Sequence, residues 1–255
     1  MSSIIEEYKL PSHGKVYSKE INPEGTISSM TTEDEMKKLA PSDKQYKVMS
    51  DVIEGCMTEK PAIHVYDMCM GDYVYLLHKL RVVTYGKDYK MSVRCPYCGK
   101  LINATINLDE LKVREFDKSL ASLLKVHLPR TGVDIELNMM TPRMQDEIEA
   151  RRREMNKKSS GQESGLLITL DAIISSINGE QLGAIEKEKF IRKLPMLDVN
   201  LILKTAEKLN LSIGVDNSIK VSCDGCGREF DSLFRYTSEF YGPTIDWWWK
   251  TLRTN

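Results

Sequence analysis

The sequence predicts an α+β fold, predominantly helical, in which two similar half-units are joined by one shared four-cysteine site. Three observations predict it. Apolar residues at helical spacing dominate the chain. Two C-x-x-C-Gly turns, at Cys95/Cys98 and Cys223/Cys226, stand 124 residues apart. The stretch leading into each turn runs through the same order of motifs, and strand-like sequence is confined to two Leu-Pro segments and the surroundings of the two turns.

The first half-unit opens with "YKLPSHGKVY", an extended segment carrying Leu10-Pro11 and then Gly14. Met30-Thr31 starts an acidic helical run. Residues 32–40 and 42–57 read as helices, with Thr31 or Thr32 as cap and Glu35 as the capping-box partner. Residues 71–85 place Val74, Leu77, Leu80 and Val83 on one helical stripe. "YKMSV" and "LINATINL" read as strands on either side of the first C-x-x-C turn.

The second half-unit repeats the order. "VHLPRTGVDIEL" carries Leu128-Pro129 and Gly132, and Met140-Thr141 starts the next helix, "TPRMQDEIEARRREMNKK", with proline near its first turn. A polar loop at 157–165 leads to "LLITLDAIISSI", read as an apolar helix in preference to a strand. A turn follows at Asn178, then a helix that stops before Pro195, a helix over 197–209, and the strand "SIKV" ahead of Cys223. "MGDYVYLLHKL" from Met70 aligns with "MLDVNLILKTA" from Met196, matching Asp72 with Asp198, Leu76 with Ile202 and Leu77 with Leu203. The knuckle cysteines follow those aspartates at 23 and 25 residues. The expected division is 1–110 and 111–235 as half-units, with 236–255 an aromatic docking tail.

Four thiolates about 2.3 Å from the metal are what tetrahedral zinc prefers, and C-x-x-C supplies two from one tight turn, with glycine relieving crowding after the second. Cys95, Cys98, Cys223 and Cys226 are therefore the expected ligands of one Zn²⁺ in a zinc-ribbon-like site. The spacing departs from an ordinary ribbon, where about 15 to 20 residues separate the knuckles. A gap of one repeat length accounts for it, because each half-unit then ends in half of the site. A redox or disulfide role is the competing reading. Catalytic zinc keeps a position open for water, and four cysteines close it, so the metal is expected to be structural. Cys56 and Cys69, among apolar neighbours, read as small buried hydrophobes.

Composition narrows the function classes. The 255 residues can bury a real core, and 41% hydrophobic with 29% charged residues is the balance of a soluble globular protein. Net charge is −1, from 36 basic and 37 acidic residues, so no bulk field draws the chain to phosphate backbones and nucleic acid is not an expected partner. No apolar run approaches the roughly 18 residues of a membrane span, and no membrane partner is expected. The N-terminus lacks a basic start and a long apolar stretch, so no secretory signal is read and a cytosolic, reducing setting is expected. Arg151, Arg152, Arg153, Lys157 and Lys158 interleave with Glu147, Glu149 and Glu154, which reads as a solvated, self-paired face. Trp247 to Trp249 cannot all face one core, and they suit docking onto this protein's own body or onto a partner. No P-loop, His-Glu metal helix or nucleophile motif is present, and His13, His64, His78 and His127 are scattered surface or core residues.

"LPSHGKVY" near the N-terminus, the long helical middle, the "CPYCG" and "CDGCG" knuckles and the closing "FRYTSEFYGPT" together resemble the T4-type bacteriophage baseplate hub protein family, and the "LP..G" segments with the later "LPMLD" look like phage tail assembly proteins more broadly. The resemblance implies a non-enzymatic structural protein of a contractile tail, at or near the baseplate hub. Its partners would be other tail and baseplate proteins, with homo-oligomers inside the baseplate admitted. Its location would be the virion, with the host cytoplasm during assembly. The family carries no catalytic residues over, and the zinc reading rests on the cysteine pattern itself. The alternative from another class is a zinc-ribbon regulator that binds nucleic acid.

Overall fold

The structure is a computed structural model that describes residues 4–158, 163–234 and Phe240. In chain order its elements are β1 (Ile5–Lys9), β2 (Glu24–Ser28), α1 (Thr32–Leu39), α2 (Gln45–Cys56), α3 (Met70–Tyr85), β3 (Asp88–Arg94), β4 (Leu101–Asn107), β5 (Val113–Arg114) and α4 (Leu120–Leu123). There follow β6 (Lys125–His127), β7 (Asp134–Leu137), α5 (Pro142–Lys158), α6 (Glu163–Ile173), β8 (Ile174–Ile177), α7 (Ala184–Arg192), α8 (Met196–Asn210), β9 (Gly214–Val215), β10 (Ser218–Ser222) and β11 (Glu229–Leu233). All strand pairs are antiparallel: β1-β2, β3-β4, β5-β9, β10-β11 and the three-stranded β6-β7-β8. The α+β class expected from the sequence is the class observed.

Local chemistry sets the element ends. Thr31 caps α1: its hydroxyl accepts from the Asp34 amide at 3.3 Å, and the Asp34 carboxylate accepts from the Thr31 amide at 3.0 Å. The box partner is thus Asp34 and not the expected Glu35, because with Thr31 as cap the third helical residue is Asp34. Glu35 instead accepts from Lys38 and from the Tyr85 hydroxyl. The expected helix from residue 42 begins only at Gln45, since the Ser42 hydroxyl accepts from the Lys44 amide and the Ser42 carbonyl from the Gln45 side chain, holding the chain in a turn. "LLITLDAIISSI" is both of the forms weighed. It is helical to Ile173, and then Ile174–Ile177 pairs with β7, a place that suits β-branched residues. Asn178, with φ at 50°, turns the chain out of that strand.

Among the described residues, three apolar clusters make up the core. One joins Leu10, Ile27, Ile53, Leu76 and Leu80; a second joins Leu128, Ile135, Ile174, Ile202 and Leu209. The third lies under the two cysteine-bearing hairpins and comprises Val82, Tyr89, Ile102, Ile219, Val221, Phe234 and Phe240. Cys56 and Cys69 are buried, and burial pushes both thiols up to about 12, which suits inert core residues.

The two Leu-Pro segments are held by the same device. Beyond Leu10-Pro11, Ser12 donates its amide at 3.0 Å to buried Asp72, near the start of α3; the Ser12 and Tyr17 hydroxyls donate to the same carboxylate. Beyond Leu128-Pro129, the Arg130 and Thr131 amides donate at 3.1 and 3.0 Å to buried Asp198, near the start of α8. Gly14 and Gly132 close the turns with φ of 70° and 67°, a region glycine enters without a steric penalty. The strand after each turn also meets the chain just beyond a helix: Ile27 of β2 bridges Met57 after α2, and β7 pairs with β8 after α6.

Contacts between the N-terminal and C-terminal parts are specific. α2 has no side-chain cap of its own, and Asp146 of α5 supplies one, accepting from the Tyr46 and Lys47 amides at 3.3 and 2.9 Å and from the Tyr66 hydroxyl at 3.0 Å. Arg143 clamps Asp67 through two nitrogens, and the Met70 amide donates to the Met140 carbonyl at 2.8 Å. The basic run of α5 is spent outward more than on itself. Arg151 pairs with Asp171 and Arg152 bonds Thr169, both on α6, while Arg153 reaches the Asp43 carbonyl and lies 4.0 Å from Glu149.

Two outcomes test this packing. Asp146→Ala leaves two helix-start amides and a buried hydroxyl without their acceptor and should lower unfolding free energy by about 2 kcal/mol, read by chemical denaturation. Burial lowers the pKa of His78 to about 4, while its Nε2 bonds the Leu108 carbonyl at 3.0 Å. Between about 6.5 and about 4 the unfolded chain binds a proton that the folded chain refuses, so this residue's contribution to stability falls as pH falls through that window. The stability difference between wild type and His78→Leu should therefore change between pH 7 and pH 4.5, in the direction that favours the variant at low pH.

Candidate metal centre

Each C-x-x-C turn caps a hairpin, and the two turns are built alike. In the first, the Cys95 amide donates to the Lys100 carbonyl at 2.9 Å and the Gly99 amide to the Cys95 carbonyl at 3.0 Å. In the second, Cys223 donates to Arg228 at 2.9 Å and Gly227 to Cys223 at 2.8 Å. β3-β4 carries the first turn in register from Asp88↔Asn107 to Arg94↔Leu101, and β10-β11 carries the second from Ser218↔Leu233 to Ser222↔Glu229. The apolar cluster shared by both hairpins brings the two tips together.

The four sulfurs then meet. Cys95 Sγ lies 3.8 Å from Cys226 Sγ, Cys98 Sγ lies 3.6 Å from Cys223 Sγ, and all four lie within 4.8 Å of one another. A tetrahedron with metal–sulfur bonds of about 2.3 Å has S···S edges of about 3.8 Å. A disulfide needs about 2.05 Å, and all four cysteines are free. Cys95 and Cys223 are buried while Cys98 and Cys226 are exposed. Among the described residues this is the one group of His, Cys, Asp and Glu donors arranged to hold a metal ion, and its composition and edge lengths fit a soft tetrahedral ion. None of the four histidines belongs to it: His13 pairs with Glu115, His64 with Glu54, His127 with Asp134, and His78 is buried on α3.

Backbone amides favour charge on these sulfurs. The amide of Cys226, and then that of Gly225 at 3.4 Å, hold the Cys223 thiol down to about 7. At Cys98 the Lys100 amide acts in the same sense but is outweighed by the shared hydrogen bond with Cys223 and by desolvation, and the thiol is pushed up to about 11.

Side chains also cross between the turns. Lys100 Nζ lies 2.9 Å from Asp224 Oδ2, and the Arg228 guanidinium lies over the Tyr97 ring at 5.0 Å from its centroid. Sequence reasoning did not identify these crossings, although its signal is visible: each knuckle glycine, Gly99 and Gly227, is followed by a cation. Of the aromatic tail, Phe240 is buried against Tyr89 and Phe234. Trp247, Trp248 and Trp249 lie outside the described residues.

Fold and site define a helix-rich α+β protein whose distinctive chemistry is a closed thiol cluster at the tips of two hairpins. The chain belongs to the family described as T4 bacteriophage base plate protein, whose model matches residues 1–241. No curated protein and no solved structure matches it. Family membership gives the chain a structural role in the phage tail baseplate, among other tail proteins. No helix among the described residues is long and apolar enough to cross a membrane.

Thiol accessibility checks the geometry. In the folded, metal-free protein, alkylation should label the exposed Cys98 and Cys226 before the buried Cys56 and Cys69, which should react only after denaturation. Rapid labelling of Cys56 or Cys69 in the native chain would contradict the burial described.

Proposed function

We propose that the chain is a hub or hub-proximal component of the baseplate, stabilised by one structural Zn²⁺ held by Cys95, Cys98, Cys223 and Cys226. Within this reading the ion joins two half-units, 1–110 and 111–235, and residues 236–255 serve as a docking tail. The observation that carries the zinc assignment is the set of four sulfurs, all within 4.8 Å of one another, drawn from two like-built turns. The half-unit assignment is supported by the paired turn-holding aspartates, Asp72 and Asp198, by the matching glycines, and by the matching strand contacts after α2 and α6.

The role of such a site is mechanical. Four thiolates leave no position for water or substrate, so the ion supplies cross-linking and no reaction. Its free energy of binding adds to the folding free energy, on the order of 10 kcal/mol in simple zinc peptides. The hub placement is supported by the family resemblance of the "LP..G" segments, the knuckles and the closing aromatic stretch. Assembly in the host cytoplasm and self-association within the baseplate follow as parts of the same proposal. The nucleic-acid-binding alternative is not favoured, because the net charge of −1 offers no field for phosphate backbones and the family is that of a baseplate protein.

Two experiments test this reading. Removing metal from the purified full chain with a strong chelator should lower the unfolding temperature by at least 10 °C, reversibly on adding zinc; an unchanged temperature would count against a structural ion. An electron-microscopy map of the intact tail should show the chain at or beside the central hub, and density confined to the baseplate periphery would refute the placement.

A further inference from the structure

The side chain that crosses above the cluster sits in a slot prepared for it. A Cβ added at Gly225, between the ligands of the second turn, would lie 2.6 Å from Lys100 Cδ and 3.5 Å from Lys100 Cβ, so the lysine stem occupies the space a side chain at 225 would take. The same Cβ would lie 3.6 Å from Cys223 Sγ. The head of Lys100 is tied down at 2.9 Å by Asp224, the residue just before that glycine. The ion pair so formed joins Lys100 of the first turn to a residue of the second. The backbone of the same residue closes the first turn, through the Cys95 amide on its carbonyl.

Four thiolates around a divalent cation carry a net charge of −2, and half of this cluster faces solvent. The Lys100–Asp224 pair joins the first turn to the second and helps hold the four sulfurs at a spacing where one ion can take them together. Arg228, at the same place in the second turn, crosses in the opposite direction but ends on the Tyr97 ring. Of the two post-glycine cations, only Lys100 is thus paired with a carboxylate of the other turn.

We infer that Lys100 is a positioning residue of the metal site, that it raises metal affinity by tying the two turns together through Asp224, and that Gly225 is glycine in order to admit it. The inference rests on the zinc reading and deepens it. It concerns binding strength, since the four ligands are complete without the lysine.

The test is zinc affinity of the full-length chain, measured by competition with a chromophoric chelator at low and high salt. Lys100→Gln removes the charge; Gly225→Ala keeps the charge but fills the slot, at a position where the backbone has no need of glycine. Both should weaken zinc binding by about tenfold, the scale seen when groups supporting metal ligands are lost. Lys100→Arg should recover most of the loss, and the Lys100→Gln deficit should shrink at high salt, where charge is screened. Cobalt(II) spectra of a tetrahedral thiolate site in every variant would show the ligands still in place. Affinity within twofold of wild type in Lys100→Gln or Gly225→Ala would overturn the inference, as would an equal loss in the remote variant Lys118→Gln. A wild-type chain that takes up no zinc would overturn the zinc reading itself, an outcome distinct from the other two.

Discussion

The meeting of two hairpin tips is the constraint on which the rest of this structure depends. Residues 95–98 and 223–226 must arrive at the same point, and everything between them, from β4 to β10, has to fold into the loop so closed. The loop is long, yet its length opposes closure only weakly. Closure entropy grows with the logarithm of length, so 124 residues in place of about 16 add about 2 kcal/mol, well below what a zinc ion contributes in small zinc peptides. Unusual knuckle spacing is therefore no argument against a shared site. It indicates that a folded body has been placed where an ordinary ribbon has a short connection.

That body is held by buried carboxylates as much as by apolar contact. Asp72 takes one amide, and Asp198 two, of a turn that lies 60 to 68 residues earlier in the chain. Asp146 gathers the start of a helix 100 residues away. Each carboxylate satisfies backbone donors that no helix or strand partner takes, and in doing so fixes where a Leu-Pro turn or a helix start must sit. Hydrophobic clusters fill the space; the aspartates set the register of the pieces.

Much of this was legible in the sequence, for definable reasons. Helical stripes located α3 and α8 to within a residue or two, and the Met-Thr pairs marked the starts of α1 and α5. The C-x-x-C-Gly turns announced the cluster, because metal-ligand spacing is a local property of a tight turn. The alignment of Asp72 with Asp198 was visible too, but the role of these residues was not, since the amides they hold belong to distant segments. The choice of Asp34 over Glu35 depended on which threonine caps the helix, a difference of one residue. The switch from helix to strand at Ile174 was hidden because an apolar run reads the same in either form until β7 lies beside it. Lys100 was overlooked for a similar reason: its partner Asp224 is 124 residues away, and only the folded hairpins place them together.

In a tail baseplate, a protein must keep its shape while its neighbours bind and pull on it. A closed thiol site at the hairpin tips, with no coordination position left for chemistry, suits that duty. The central claim is that one ion joins the two tips through all four cysteines. Zinc-edge X-ray absorption on the purified full-length chain tests it most directly: the account predicts one zinc per chain with four sulfur neighbours at about 2.3 Å. Absence of zinc, or a shell containing nitrogen or oxygen in place of sulfur, would contradict it.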